Sequence, residues 1–346
     1  MRSIMKKNAV RLGIIFFLTV VFMYFFFRSV DWKEVLSYLT DVNLKYFILV
    51  IILVPVHLLT RAIRWEYLLK AEKKGTSLFN RFAANTVGFT VTLIFPGRIG
   101  ELVKPIYLAQ KENMRKGFVL GTVVVERIFD IFTMCFLLGL FLVAKPVYPS
   151  YFHADAEAYS RLYLWGIVGV AFATIMLLVV LSLHFFREKT LSVISKLLKP
   201  LPDRISTRIL ELIHEFIQGL KFFHSIGNLF IYILLSFVVW IGIIFYYWIF
   251  FFAYDISVRF FLLVPYCFLV MVGASIPTPG MVGGFHYFSK IGMTSFFQIE
   301  SNQAVGMTIV IHAIQVVMTC LLGYAILWKE GISLLQIKKL GEDAGR

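Results

Sequence analysis

The sequence predicts an all-α polytopic membrane protein with six full crossings and two oppositely oriented re-entrant helix pairs arranged as an inverted repeat. Three observations carry this. The 346-residue chain is 59% hydrophobic and 17% aromatic but only 16% charged, where soluble domains average about 25% charged residues. Mean hydropathy is +0.81. Several apolar runs reach or approach the ~20 residues needed to cross the hydrocarbon core, and two others stop at Pro-Gly. A water-soluble enzyme is excluded, and no polar stretch is long enough to fold alone, so residues 1–346 read as a single integral membrane domain.

The six crossings fall at 12–27, 44–60, 117–143, 162–186, 228–253 and 303–328. The first follows Lys6, Lys7 and Arg11. It reads as a retained helix and not a leader, because Phe25, Phe26, Phe27 and Arg28 stand where a small-residue cleavage site would be. Two apolar stretches resist this scheme. One runs over 82–95 and meets Pro96-Gly97; the other runs over 260–276, meets Pro277-Thr278-Pro279-Gly280, and is followed by 284–297. Proline lacks the N–H a helix needs and disfavours helix in the residue before it, while glycine supplies the angles for a reversal. Both stretches are therefore predicted to enter the membrane, turn and leave, over 82–110 and 260–298.

Counting Lys and Arg supports the arrangement. With the N- and C-termini in the cytoplasm and both broken stretches re-entrant, the cytoplasmic pieces hold 26 basic residues and the outer pieces 6, a strong positive-inside bias. The net charge of +14 thus reads as orientation and implies no nucleic-acid partner. Residues 44–143 and 228–328 become two repeats of opposite orientation, an architecture common among secondary transporters, whose substrates bind where the broken helices meet. Residues 187–227 alternate basic and apolar side chains, suiting an amphipathic segment on the cytoplasmic leaflet.

The polar residues inside apolar runs come next. Glu126, Arg127 and Asp130 lie within 117–143. Each costs roughly 2.5–3.5 kcal/mol at the bilayer centre, so such groups face the protein interior and pair; Glu126 with Asp130 and Arg127 with Asp130 have helical spacing. A structural ion cluster locking two helices is the alternative to a direct role. The first turn, Phe95-Pro96-Gly97-Arg98-Ile99-Gly100-Glu101, brings Arg98 next to freed backbone N–H groups, a setting for an anionic head group. Glu101 would be its counter-ion or a partner for Arg127, and Lys104 would mainly set topology. Arg61, Arg64 and Trp65 close the second crossing, where interface anchoring is the default, and Asn85 would hydrogen-bond in the first broken arm. In the second half, Pro279, Gly280 and Gly283 build the turn, His286 and Lys290 share a helical face, and Thr308, His312, Gln315 and Thr319 form one polar stripe, either interhelical glue or the wall of a wet path. Cys135, Cys267 and Cys320 all lie in apolar segments, which suggests neither a disulfide framework nor a thiolate metal site. No phosphate-cradling Walker pattern, His-Glu-x-x-His or Gly-x-Ser-x-Gly is present. No cofactor or metal is predicted.

Together, Arg61-x-x-Arg64-Trp65, Asn85 with Phe95-Pro96-Gly97-Arg98-x-Gly100-Glu101, Glu126-Arg127-x-x-Asp130 and Pro277-Thr278-Pro279-Gly280-x-x-Gly283 resemble the lysylphosphatidylglycerol synthase transmembrane family, also described as flippase-like. The resemblance covers nearly the whole chain. It implies a lipid flippase of the cytoplasmic (inner) membrane without the soluble domain that transfers lysine to phosphatidylglycerol, hence no enzymatic activity. Its partners would be membrane lipids, an anionic phospholipid or a polyprenyl or other lipid phosphate; a homo-oligomer and a separate synthase acting on the same lipid are further partners to consider. Members of the family commonly carry Pro-Gly-Gly at the second turn and a Glu six residues after its first Gly, where this chain has Met281 and His286. The expected mechanism places the phosphate on Arg98, Arg127 and Arg64, with Glu101, Glu126 and Asp130 balancing charge and His286 and His312 as secondary contacts. An ion or anion transporter or channel, and an intramembrane lipid-modifying transferase, are the competing readings.

Overall fold

Backbone N–H and C=O groups find no partner in hydrocarbon, so a membrane chain must satisfy them within each segment; every described element is accordingly helical. The computed structural model describes residues 2–28, 30–40, 42–144, 186–198, 226–337 and 339, with isolated positions 167, 171, 174, 175, 178, 182, 206, 207 and 210. The eleven helices described here are α1 (Arg2–Phe27), α2 (Trp32–Thr40), α3 (Leu44–Leu69), α4 (Leu78–Ile94), α5 (Gly100–Glu112), α6 (Lys116–Ala144), α7 (Arg187–Leu198), α8 (Ile226–Phe252), α9 (Leu263–Ser275), α10 (Gly284–Phe297) and α11 (Ser301–Lys329).

Three of the predicted crossings correspond to helices long and apolar enough to span a bilayer: α3, α8 from Gly227, and α11. The predicted end of α3 at residue 60 is corrected to Leu69, because Arg61, Arg64 and Trp65 are buried rather than interfacial and the helix continues through them. At 29 residues, α6 is about 43 Å long and carries Glu126, Arg127 and Asp130 in its middle. From Ile15, α1 forms with α2 a pair bent by 90°. The predicted crossing at 162–186 lies largely outside the described residues, as does the amphipathic segment beyond α7. Within α7, Leu191 and Ile194 pack on the core while Val193 and Leu197 stay exposed.

Both predicted reversals are helical hairpins. In the first, α4 and α5 lie side by side, joined by the 3-10 turn Pro96–Arg98. In the second, α9 and α10 do the same around Pro279–Met281. The turns match residue for residue: Gly97 has φ 81° and ψ 15°, Gly280 φ 60° and ψ 16°, and the following residue, Arg98 or Met281, also has positive φ. Each pair of arms closes on a glycine pair. A Cβ on Gly100 would collide with the Gly88 carbonyl oxygen, and one on Gly273 with the Gly284 carbonyl oxygen.

Long helices set where the hairpins stand. At its start α3 is bound to the segment that leads into the second hairpin, the Asn43 N–H donating to the Ala253 carbonyl at 2.7 Å. Its other end joins the base of the first: Arg81 Nη2 bonds Glu66 at 2.8 Å and Arg81 Nε the Ala62 carbonyl at 3.0 Å. Glu112, ending α5, fastens the intervening loop by accepting from Lys73 Nζ (2.7 Å), the Ser77 N–H (2.9 Å) and Asn80 Nδ2 (2.6 Å). Past the end of α11, Glu330 meets the first hairpin at Tyr107 (2.6 Å) and Lys111 (3.0 Å), while mid-helix His312 meets the second turn at the Gly280 carbonyl, 3.0 Å away. The hairpins thus start from opposite ends of α3 and their turns touch between them, Gly280 lying against the Leu93 carbonyl.

Candidate functional site

Beside the meeting turns lies a cavity of about 480 Å³ walled by α3, α4, α5, α6, α8, α9, α10 and α11. Its polar wall is built where apolar helices carry a few ionisable residues at helical spacing. On α6, Glu126 and Asp130 are four residues apart and point to the same side, both buried. Arg61 and Arg64 reach them from α3, and Lys104 from α5.

The bonds are short and shared. Arg64, with no exposed surface, holds Asp130 at 2.7 Å and Glu126 at 3.2 Å. Arg61 Nη1 reaches Asp130 at 3.2 Å and Glu126 at 3.4 Å, while its Nε donates to His57 Nε2 at 3.0 Å. Lys104 Nζ donates to Glu126 at 2.6 Å and sits 4.3 Å above the Trp65 ring. Arg127 reaches Glu126 at 3.0 Å and Asp130 at 3.5 Å, and Trp240 Nε1 donates to Asp130 at 3.2 Å. Four cations thus surround two carboxylates. Buried ions are tolerated only when paired and hydrogen-bonded, and here each carboxylate is bonded by several donors.

Arg98 occupies the tip of the first hairpin. Its Nη1 pairs with Glu101 at 3.0 Å and its Nη2 donates to the Ala274 carbonyl of the second hairpin. Arg98, Glu101, Lys104, Arg127, Asp130, Arg61, His312 and Gln315 all line the cavity, and the Nε groups of Arg98 and Arg127 have no hydrogen-bond partner among the described residues.

The deciding observation is a family comparison. The model of the lysylphosphatidylglycerol synthase TM region matches residues 8–323. The chain belongs to that family. It is also 25% identical over 229 residues to a UPF0104 membrane protein of Methanocaldococcus jannaschii, an alignment covering 64% of this chain and 65% of the relative; the chain thus spans just under two thirds of that relative's length. As a member of this family with helices able to span a bilayer, it is a multi-pass membrane protein.

In this lysylphosphatidylglycerol synthase TM family member, several expected positions fall elsewhere. Of the two partners expected for Glu101, Arg98 is the one it bonds, as its counter-ion. Lys104, expected to set topology, is buried in the ion network. Neither His286 nor Lys290 lines the cavity; Lys290 Nζ donates to the Phe26 carbonyl of α1 at 2.9 Å. His286 packs edge-on against His312, ring centroids 4.6 Å apart, and against Phe26. Gly283 gives α1 room at Phe22. Asn85 is fully buried, and neither of its amide atoms finds a partner among the described residues. The stripe on α11 divides: Thr308 bonds Ser289 at 3.0 Å as interhelical glue, whereas His312, Gln315 and Thr319 face the cavity. Sequence reasoning missed His57, Trp240, Tyr246 and Tyr247, which also line it. A pointer to His57 existed, since it lies four residues before Arg61 in an apolar run, but the aromatic residues of α8 carry no such mark. Among the described residues no group of three or more His, Cys, Asp or Glu side chains is placed to hold a metal ion.

Proposed function

We propose that this protein is a lipid transporter that moves a phospholipid or lipid-phosphate head group between leaflets through the polar cavity, the acyl chains staying in lipid. The observation that carries the reading is the buried, cation-rich cavity placed beside the point where two helical hairpins meet. Arg98, Arg127 and Arg61 would contact the phosphate, with Lys104 beside them on the wall and Arg64 behind. Glu101, Glu126 and Asp130 would hold those cations in place, so the chain acts as a transporter and not an enzyme.

In this reading the hairpins are re-entrant pairs of an inverted repeat, entering from opposite faces between six crossings, with both termini in the cytoplasm and the protein in the inner membrane. The matching turns and the opposite anchoring of the hairpins along α3 support it. Broken helices at the midplane are tolerated where they line a polar cavity.

The test is leaflet-resolved movement of labelled lipids in liposomes, comparing the unaltered protein with Arg98→Ala and Glu126→Gln. The expected result is faster lipid movement than in protein-free liposomes, with most of that gain lost in both variants. Equal rates for all three proteins would remove these residues from the mechanism.

A further inference from the structure

Resting on the reading of this cavity as a head-group site, we infer that its ligand is a phosphomonoester dianion, and that a head group bearing an ammonium, such as a lysyl ester, is disfavoured. The inference comes from the charges of the wall. Five cations, Arg61, Arg64, Arg98, Lys104 and Arg127, are bonded to three carboxylates, Glu101, Glu126 and Asp130, which leaves an excess of two positive charges.

Glu126 and Asp130 are each bonded by several cations, most closely by Lys104 at 2.6 Å and Arg64 at 2.7 Å respectively, and Glu101 is held at one oxygen by Arg98 at 3.0 Å. An ammonium entering the cavity meets a wall whose cations outnumber its carboxylates and adds like charge there, which electrostatic matching opposes. Cations, by contrast, are within reach: Arg98 and Arg127 line the cavity, and their side chains keep 26% and 35% of their surface exposed. Guanidinium groups pair with phosphate oxygens through directed N–H bonds. The other polar residues facing the space, among them His57, His312, Gln315 and Thr319, include no further carboxylate among the described residues. A phosphodiester carries one negative charge and leaves one cation unmatched, whereas a phosphomonoester, with a second pKa of about 6, is a dianion at pH 8 and matches both.

The same chemistry could arrive as a lipid or as free phosphate, so the test separates them. The full-length protein in nanodiscs is offered phosphatidic acid, phosphatidylglycerol and lysylphosphatidylglycerol in competition at pH 8, with and without excess inorganic phosphate, and the retained lipid is read by native mass spectrometry. Phosphatidic acid should be retained at least about tenfold over lysylphosphatidylglycerol, with phosphatidylglycerol between, as expected for mismatched charge at a desolvated contact. Arg127→Gln, at a residue still partly open to solvent, should reduce that preference about tenfold. Inorganic phosphate binding in place of phosphatidic acid would support the phosphomonoester site and count against a lipid cargo. Lysylphosphatidylglycerol retained equally or better, or no binding of any of the four, would overturn the inference. The ranking in the unaltered protein decides even if the variant fails to fold. The liposome assay judges transport separately, so lipids that move without this ranking would defeat the inference and leave the transport reading standing.

Discussion

The two hairpins share a backbone and differ in chemistry. Both turn through Pro-Gly followed by a residue of positive φ, both close on a glycine pair, and both second arms end in a left-handed residue, Asn113 or Gln298. Yet the first carries Arg98, Glu101 and Lys104 into the cavity, while the second brings Met281 and Phe285 to it and turns Lys290 away to the end of α1. A geometry that permits buried irregular backbone therefore does not dictate what the turn presents. The ionic partners needed by the first hairpin come from α3 and α6; the second packs on α1, α11 and, through α9, on α6 as well, but presents apolar side chains such as Val270 and Met271 there.

The largest test of this asymmetry strikes the charged side. Asp130→Ala would leave the fully buried Arg64 without its shortest ion pair and cost about 3–5 kcal/mol, whereas His286→Phe, a nearly size-conserving change among aromatic neighbours, should cost less than about 1.5 kcal/mol. Thermal unfolding in detergent compares them, and equal losses would break the distinction. The shared backbone is probed next. Gly100→Ala and Gly273→Ala both force a methyl onto a facing carbonyl and should each cost about 1–3 kcal/mol by the same measurement; a large loss in one alone would mean that the glycine pairs are not equivalent.

A smaller effect separates the two residues that follow the turn glycines. Met281 sits at φ 60°, a left-handed conformation costing a side-chain-bearing residue roughly 1 kcal/mol. Met281→Gly should raise the unfolding temperature slightly, while Arg98→Gly, which relieves the same angle, should not, because it also removes the bonds to Glu101 and Ala274.

The smallest effect is at the base of the first hairpin. Burial would raise the Glu112 carboxyl, but bonds from Lys73, Asn80 and the Ser77 N–H outweigh it and hold the group below the ordinary glutamate value of about 4.5. The unfolded chain then binds more protons near that pH, so the stabilisation is complete above about 4.5 and is lost as pH falls through the folded value. Hydrogen-exchange protection in residues 70–77, corrected for the intrinsic rate at each pH, should fall on acidification, and Glu112→Gln should abolish that dependence.

Much of this was legible beforehand. Pro96-Gly97 and Pro279-Gly280 marked the two turns because proline and glycine restrict or free the backbone wherever they stand. Glu126, Arg127 and Asp130 announced an interior ion network because a charge has no comfortable place in hydrocarbon. Less legible was which side chain answers which. Arg61 and Arg64 looked like interface anchors because the run before them ends there, and only the position of α6 turns them inward. Lys290 has a backbone carbonyl as its partner, and any sequence would supply one. Trp240 joined the site through an indole N–H that reads as one more apolar residue in a span.

The bond from Arg98 to the Ala274 carbonyl has a mechanical side. It fastens one hairpin to the other through a long side chain with several freely rotating bonds, so the seam there behaves as a clasp and not a weld. A charged oxygen arriving alongside would compete with a neutral carbonyl for the same hand.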